Sequence, residues 1–474
     1  MSYYHGVRAR QVTTSVSTPV TATSGVTFAV GTAPVHTATG AVNKAVYGGN
    51  YAETVGALGY GDDWKKYSLC EVMYSHFKLY KTAPVIFVNV LDPAKHRKEV
   101  DEEPYPVINR RVTLPLEAII DTVIVETYAA EADYELFYDN NAVILEICKD
   151  GSIPPETTEL TVSFTEVDPS QVTKADIIGG FNVNTKQTGG LALIDSVFPR
   201  FGVIADIVIA PGWSHDAEVA AVMSAVISNM NGVFEGKAFI DVDTGEAKHY
   251  TDAPAWKKSQ NMNSKAQYLF YLKGKQGERE FHMSTQAAAL VATVDEKNGG
   301  APSDSPSNKL MQINSTVTAD GAEVFLDLQQ ANLLNANGIA TALNLSGGFV
   351  LWGDETACFP ANTDVKDYFI SISRMFGWVS NSVIITNWSK VDSKLNRRLT
   401  DSVVDSLNKW LNGLTSEGHL LGGRVDLLPE ENSDLDIAGG KAVFHIFLTP
   451  PSTAREIEFV LEYDLSYLTA VLAA

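Results

Sequence analysis

The sequence predicts a multi-domain α/β chain: two α/β domains, a small all-β insertion, and extended strand arms at both termini. Three observations carry this. Apolar, β-branched runs alternate with helical stripes on either side of a stretch that is strand-like throughout. At 474 residues the chain is too long for a single core. Both ends are patterned as strands without a hairpin partner beside them. The expected units are an N-terminal arm (1–20), an N-terminal α/β unit (21–93), an all-β insertion (94–170), a middle α/β domain (171–345), a C-terminal domain (346–451) and a C-terminal arm (452–474).

Residues 2–20 are rich in Val and Thr and have no helical apolar stripe, so they read as an extended arm. Residues 26–30 and 84–91 are buried-strand runs, and between them Asp63 is placed to cap a helix bearing Leu69, Val72, Met73, Phe77 and Tyr80 at helical spacing. From 95 to 168 short alternating strands follow one another, clearest at 134–138, 142–147 and 160–165. A strand at 203–210, a helix capped by Ser214 and carrying Val219, Met223 and Ile227, and a strand at 237–242 mark the middle domain. Residues 298–308 have the composition of an exposed loop. The longest amphipathic helix is expected at 392–414, with Leu395, Leu399, Val403, Leu407, Trp410, Leu411 and Leu414 inward and Gly413 as its stop. Pro450 and Pro451 then separate a strand at 442–448 from the final one, where Ile457, Phe459, Leu461 and Tyr463 alternate with Glu456, Glu458 and Glu462. A strand held off its own domain is offered to another molecule.

A net charge of −21 gives no overall pull toward phosphate backbones or anionic lipid, so nucleic acid is a poor partner and no membrane insertion is expected. The three cysteines, Cys70, Cys148 and Cys358, are widely spaced and fit buried thiols in a reducing compartment. None of the nine histidines forms a metal-binding spacing, and residues 232–237 are one residue short of a phosphate loop. Asp206, Ser214 and His215 invite a triad reading, but Ser214 and His215 are adjacent and no nucleophile elbow accompanies them. His445 reads as a satisfied core histidine. No catalytic residue, metal or cofactor is expected.

The runs at 62–77 (DDWKKYSLCEVMYSHF), 87–93 (FVNVLDP), 347–353 (GGFVLWG), 374–378 (RMFGW), 394–399 (KLNRRL), 410–413 (WLNG), 420–424 (LLGGR) and 448–459 (LTPPSTAREIEF) together resemble the tail sheath proteins of contractile bacteriophage tails and phage-tail-like bacteriocins. The resemblance implies a structural subunit, not an enzyme. It would form a helical homo-oligomer of stacked hexameric rings around an inner tail tube protein, with baseplate and tail terminator proteins as further partners. The particle would be assembled in a bacterial cytoplasm. It also implies that Tyr3, Val7, Val12 and Val16 at one end, and Ile457, Phe459, Leu461 and Tyr463 at the other, are strands exchanged with neighbouring subunits. The basic residues Lys390, Lys394, Arg397, Arg398 and Lys409 on and before the long helix are candidates for the tube-facing surface. The alternatives are a sheath component of a related contractile secretion or injection system, and a cytosolic α/β hydrolase using Asp206 or His215.

Overall fold

In the computed structural model, residues 19–465 and 467 are described, apart from 39, 140 and 346. Eight strands form the central sheet: β1 (Thr27–Gly31), β2 (Ala45–Gly48), β3 (Val85–Asn89), β4 (Ile207–Ile209), β5 (Lys237–Asp241), β6 (Gln267–Phe270), β7 (Ile339–Leu343) and β8 (Val350–Trp352). Their order is β8-β7-β6-β5-β4-β1-β3-β2; the inner strands are parallel and each edge strand is antiparallel to its neighbour. Parallel strands covered on both faces need apolar side chains in both directions, which is why these segments read as continuous apolar runs. Phe28, Val30, Ile86, Val208 and Ile240 enter one core, and Ala29, Val85, Phe87, Ile209 and Phe239 enter the other.

The two stretches expected as separate α/β domains share this one sheet, because β1 pairs with β3 on one side and with β4 on the other. Hydrophobic period locates strands but carries no information about which distant strand each one joins. Among the helices, those the site depends on are α1 (Tyr51–Leu58), α2 (Ser68–Met73), α3 (Ala217–Ile227), α4 (Met283–Lys297), α5 (Ile370–Asn387) and α6 (Arg397–Ser416). Helix α2 runs on as a π-helical segment, Tyr74–Tyr80. It starts after Tyr67, not at Asp63, whose carboxylate instead accepts from the Lys65 N–H in the preceding turn. The cap of α3 is Asp216, which accepts from the N–H groups of Glu218 and Val219, while Ser214 is buried and bonds Asp241. Ser214 lies too early to reach those orphan donors.

The insertion makes two three-stranded sheets: Arg97–Pro106, Glu159–Val167 and Ile124–Val125 in one, Arg111–Pro115, Ala142–Ile147 and Tyr134–Asp139 in the other. They enclose a core of their own around Val143, Leu145, Val162 and Phe164. The C-terminal part packs α5, α6 and the antiparallel pair β9 (Gly422–Asp426) and β10 (His445–Thr449) onto the central sheet. Trp378, Leu407, Leu411, Leu414 and Val425 belong to the same core as Phe28. Gly423 lets β9 lie against α6, since a Cβ there would sit 3.3 Å from that of Leu411. Helix α6 passes through Gly413 to Ser416, and the backbone turns at Gly418, whose φ is +86°. It also starts later than expected: Asp392 has φ +62° and Asn396 is the cap.

Candidate assembly site

The C-terminal segment is the first component of the site. After β10, Pro450 and Pro451 end the ladder, and residues 452–464 run on with no strand partner among the described residues. Ile457, Phe459, Leu461 and Tyr463 are 69%, 84%, 96% and 74% exposed, so the expected alternation is present but neither face is covered. Val460 is equally bare at 83%. The root of the segment is held: Thr453 Oγ1 donates to Asp354 Oδ2 at 2.6 Å, and an Arg455 guanidinium nitrogen lies 3.9 Å from Glu355.

The Ser371 hydroxyl at the start of α5 lies 3.3 Å from that of Thr453, and the N-terminal root is held further along the same helix. Thr386 Oγ1 donates to the Val20 carbonyl, the Ala22 N–H donates to Ser382 Oγ at 2.8 Å, and the Trp378 indole N–H donates to the Ala22 carbonyl at 2.8 Å. Three residues on, the Gly25 N–H donates to Asp206. Gly25 has φ +68°, and a Cβ there would stand 2.7 Å from the Ala292 backbone. Asp206 and Asp295 grip the buried guanidinium of Arg374 on α5. Burial opposes that charge, but the two carboxylates outweigh it and hold Arg374 protonated well above its ordinary range. The arm candidates Tyr3, Val7, Val12 and Val16 lie outside the described residues.

A further component is the β9–β10 pair, whose two outer edges have no strand beside them among the described residues. His445 is on this pair, 40% exposed at its side chain, stacked on Phe447 with its Nδ1 2.9 Å from Glu431. It is not the core histidine expected, because a two-stranded sheet covers only one of its faces. Of the basic residues, Lys394, Arg397 and Arg398 are exposed around the start of α6, with Arg397 3.5 Å from Asp401. Lys390 is half-buried, donates to Asn387, and has its pKa lowered by burial. Lys409 stands about 17 Å further along the helix by its rise per residue. It lines a groove of about 680 Å³ together with Pro19, Trp378 and Trp410. Trp388 and Val391, exposed by 64% and 66%, sit among the first group; sequence reading did not single them out.

The triad candidates are dispersed over different tasks. Asp206 serves Arg374, and Ser214 exchanges two hydrogen bonds with Asp241, which also accepts from Ser284. His282 bonds the buried Glu71 through Nδ1 at 2.8 Å. Burial would lower its pKa, but the Glu71 carboxylate outweighs this and raises it. Cys70 and Cys358 are buried free thiols, and Cys148 is half-buried. Among the described residues, no group of three or more His, Cys, Asp or Glu could hold a metal ion, and no helix is long and apolar enough to cross a membrane.

Residues 186–357 match the family described as phage tail sheath protein central domain. The tail sheath protein of Burkholderia phage BcepMu is 28% identical over 484 aligned positions, covering 98% of each chain. A putative prophage major tail sheath protein of Pseudomonas aeruginosa strain UCBPP-PA14 is 27% identical, over 62% of this chain and 74% of its own. The fold is similar to a chain of the anti-feeding prophage helical sheath in its contracted state, at 13% identity and a TM-score of 0.60, covering 98% of this chain and 100% of that one. A chain of an extracellular contractile injection system sheath, also contracted, has a TM-score of 0.56 at 12% identity, covering 98% of this chain and 99% of its own. The family match within the central sheet and a curated relative aligned end to end agree with the motifs read from the sequence: residues 186–357 match a phage tail sheath central domain, and the chain is similar along its whole length to a phage tail sheath protein, a structural subunit.

Proposed function

We propose that the chain polymerises around an inner tail tube into a cylinder of stacked rings, stored in an extended, metastable state, and contracts to drive the tube through a target envelope. The observation that carries this is the uncovered C-terminal segment. Each large apolar side chain moved from water into a protein contact contributes about 1.5–3 kcal/mol. Ile457, Phe459, Leu461 and Tyr463 offer four such gains per subunit, together with a free backbone ladder. The complementary surface is the unpaired edge of β9–β10 on a neighbouring subunit, joined by the N-terminal arm carrying Tyr3, Val7, Val12 and Val16. A β-ladder keeps its hydrogen bonds while the linkers bend, so subunits reorient on contraction without separating. The work comes from interface gained as rings pack more closely, in keeping with a long-lived metastable state.

The tube-facing surface is the start of α6 and the turn before it, which carry Lys390, Lys394, Arg397 and Arg398 together with the exposed Trp388. Exposed charges give weak, salt-sensitive contacts, which suit a tube that must slide free. Baseplate and terminator proteins would close the two ends, and assembly would take place in the cytoplasm of the host bacterium. The fold is shared by injection-system sheaths, so an injection particle is the second reading. Electron microscopy of the chain expressed alone tests the central claim: the intact chain should form cylinders, and a version ending at Arg455 should remain unassembled although folded. Cylinders built by the truncated chain would refute strand exchange.

A further inference from the structure

At the root of the C-terminal arm, hydroxyl groups from three separate segments converge on one carboxyl. Asp354 follows β8 and is 5% exposed. Its Oδ1 accepts from Ser305 Oγ at 2.5 Å; its Oδ2 accepts from Thr453 Oγ1 at 2.6 Å and from Ser371 Oγ at 3.4 Å. Ser371 and Thr453 are themselves 3.3 Å apart. Ser305 lies in the 298–308 loop, which composition predicts to be exposed but which is partly buried, with Ala301, Pro302 and Pro306 covered. Ser371 is in the first turn of α5, and the Ile370 N–H donates to the Asp354 carbonyl, so the helix start and the carboxyl move together. Just past Arg455 the side chains turn out to solvent: Ile457 is already 69% exposed.

We infer that Asp354, held by Ser305, Ser371 and Thr453, is the positioning residue that fixes where, and how firmly, the C-terminal arm leaves the subunit. This rests on the exchange reading above for its use, but not for its geometry. The charged and titratable neighbours on every side are few. Glu355 adjoins it and faces Arg455 at 3.9 Å; Tyr268 donates to the Gly353 carbonyl from β6; Glu456 lines the same cleft; Asp304 pairs with Lys309 beside Ser305; and Arg374, one turn along α5, is committed to Asp206 and Asp295. Among the described residues no cation pairs with Asp354 directly. Burial pushes this carboxyl up to about 7, against the pull of its hydroxyl donors, and burial raises Glu355 as well.

The direction of the pH effect follows. Once Thr453 and Arg455 lift away, Asp354 regains water and an ordinary carboxylate pKa near ~3.9. The seated root therefore favours the protonated acid, and ionisation favours release. The seating equilibrium should be strongest below about pH 4, weaken about tenfold for each pH unit from there up to about 7, and be flat above 7. A nitroxide on Ile457→Cys, in the full chain with Cys148→Ser, reads this in the unassembled subunit by electron paramagnetic resonance. The label should be immobile at about pH 5 and mobile at about pH 8, with the change complete near pH 7. Adding Asp354→Asn should keep it immobile throughout; adding Thr453→Val should leave it mobile at both values. A wild-type label whose mobility ignores pH, or an Asp354→Asn label that titrates like wild type, overturns the assignment. Cylinder formation by the chain ending at Arg455 is scored separately: such cylinders sink strand exchange and leave a titrating label standing, while a flat label with arm-dependent cylinders sinks only the fastening role.

Discussion

Two regions of the molecule carry the same alternation and meet opposite fates. In Ala142–Ile147, Val143, Leu145 and Ile147 are buried, because Arg111–Pro115 and Tyr134–Asp139 pair with that strand on both sides. In the C-terminal segment Ile457, Phe459, Leu461 and Tyr463 alternate just as regularly, yet Leu461 is 96% exposed. The difference is reach. Tyr134–Asp139 returns into Ala142–Ile147 through a short turn, whereas Pro450 and Pro451 hold the last segment away from β10. Local pattern tells a residue which side of a strand it occupies; only chain topology decides in whose sheet the strand lies. The insertion covers its apolar face within one subunit, and the described part of the tail does not.

The largest effect that sharpens this contrast is at the N-terminal root. Arg374→Ala leaves Asp206 and Asp295 buried without their cation, and should destabilise the subunit by about 3–5 kcal/mol in denaturant titrations. A loss under about 1 kcal/mol would mean that water reaches the pair and that α5 is not fixed by it. The next effect tests the two regions directly. Leu145→Ala should cost about 2–5 kcal/mol of subunit stability through the cavity it opens. Phe459→Ala should stay within about 0.5 kcal/mol in the unassembled subunit while reducing cylinder yield. Equal losses from both substitutions would erase the contrast, since they would give the tail a partner inside its own chain.

How much of this was legible in the sequence divides along the same line. The buried strands, the insertion strands and the uncovered tail announce themselves by period, because each pattern is local. Helix α5 did not: its sequence ISISRMFGWVSNSVIITN is rich in β-branched residues, contains a glycine and interleaves Ser, Asn, Arg and Thr with its apolar residues, so neither propensity nor a clean helical stripe points to it. Yet α5 seats both arms, through Ser371 at one end and Trp378, Ser382 and Thr386 at the other. The partners of Arg374 and Asp354 are between 17 and 168 residues away, and no spacing rule connects them. The run RMFGW marked the place without revealing the role.

The smallest effect on the fold concerns the basic residues before and on α6. Arg397 has 94% of its side chain exposed and its one ion pair, with Asp401, is a solvent-screened contact one helical turn away, so its removal should leave the thermal midpoint unchanged. The same exposure makes these residues available to a partner. Charge reversal at Lys394 and Arg398 should therefore leave the subunit folded but reduce its assembly on purified tubes, most at low salt, where screening is weakest. Lys409 provides the internal control, since it lies in the groove beside Pro19 and Trp378 and not with the others. Reversal there should not alter the salt dependence of tube binding. If Lys409→Glu and Arg398→Glu change that dependence alike, the contact surface runs along the whole helix, and the turn containing Trp388 is not its centre.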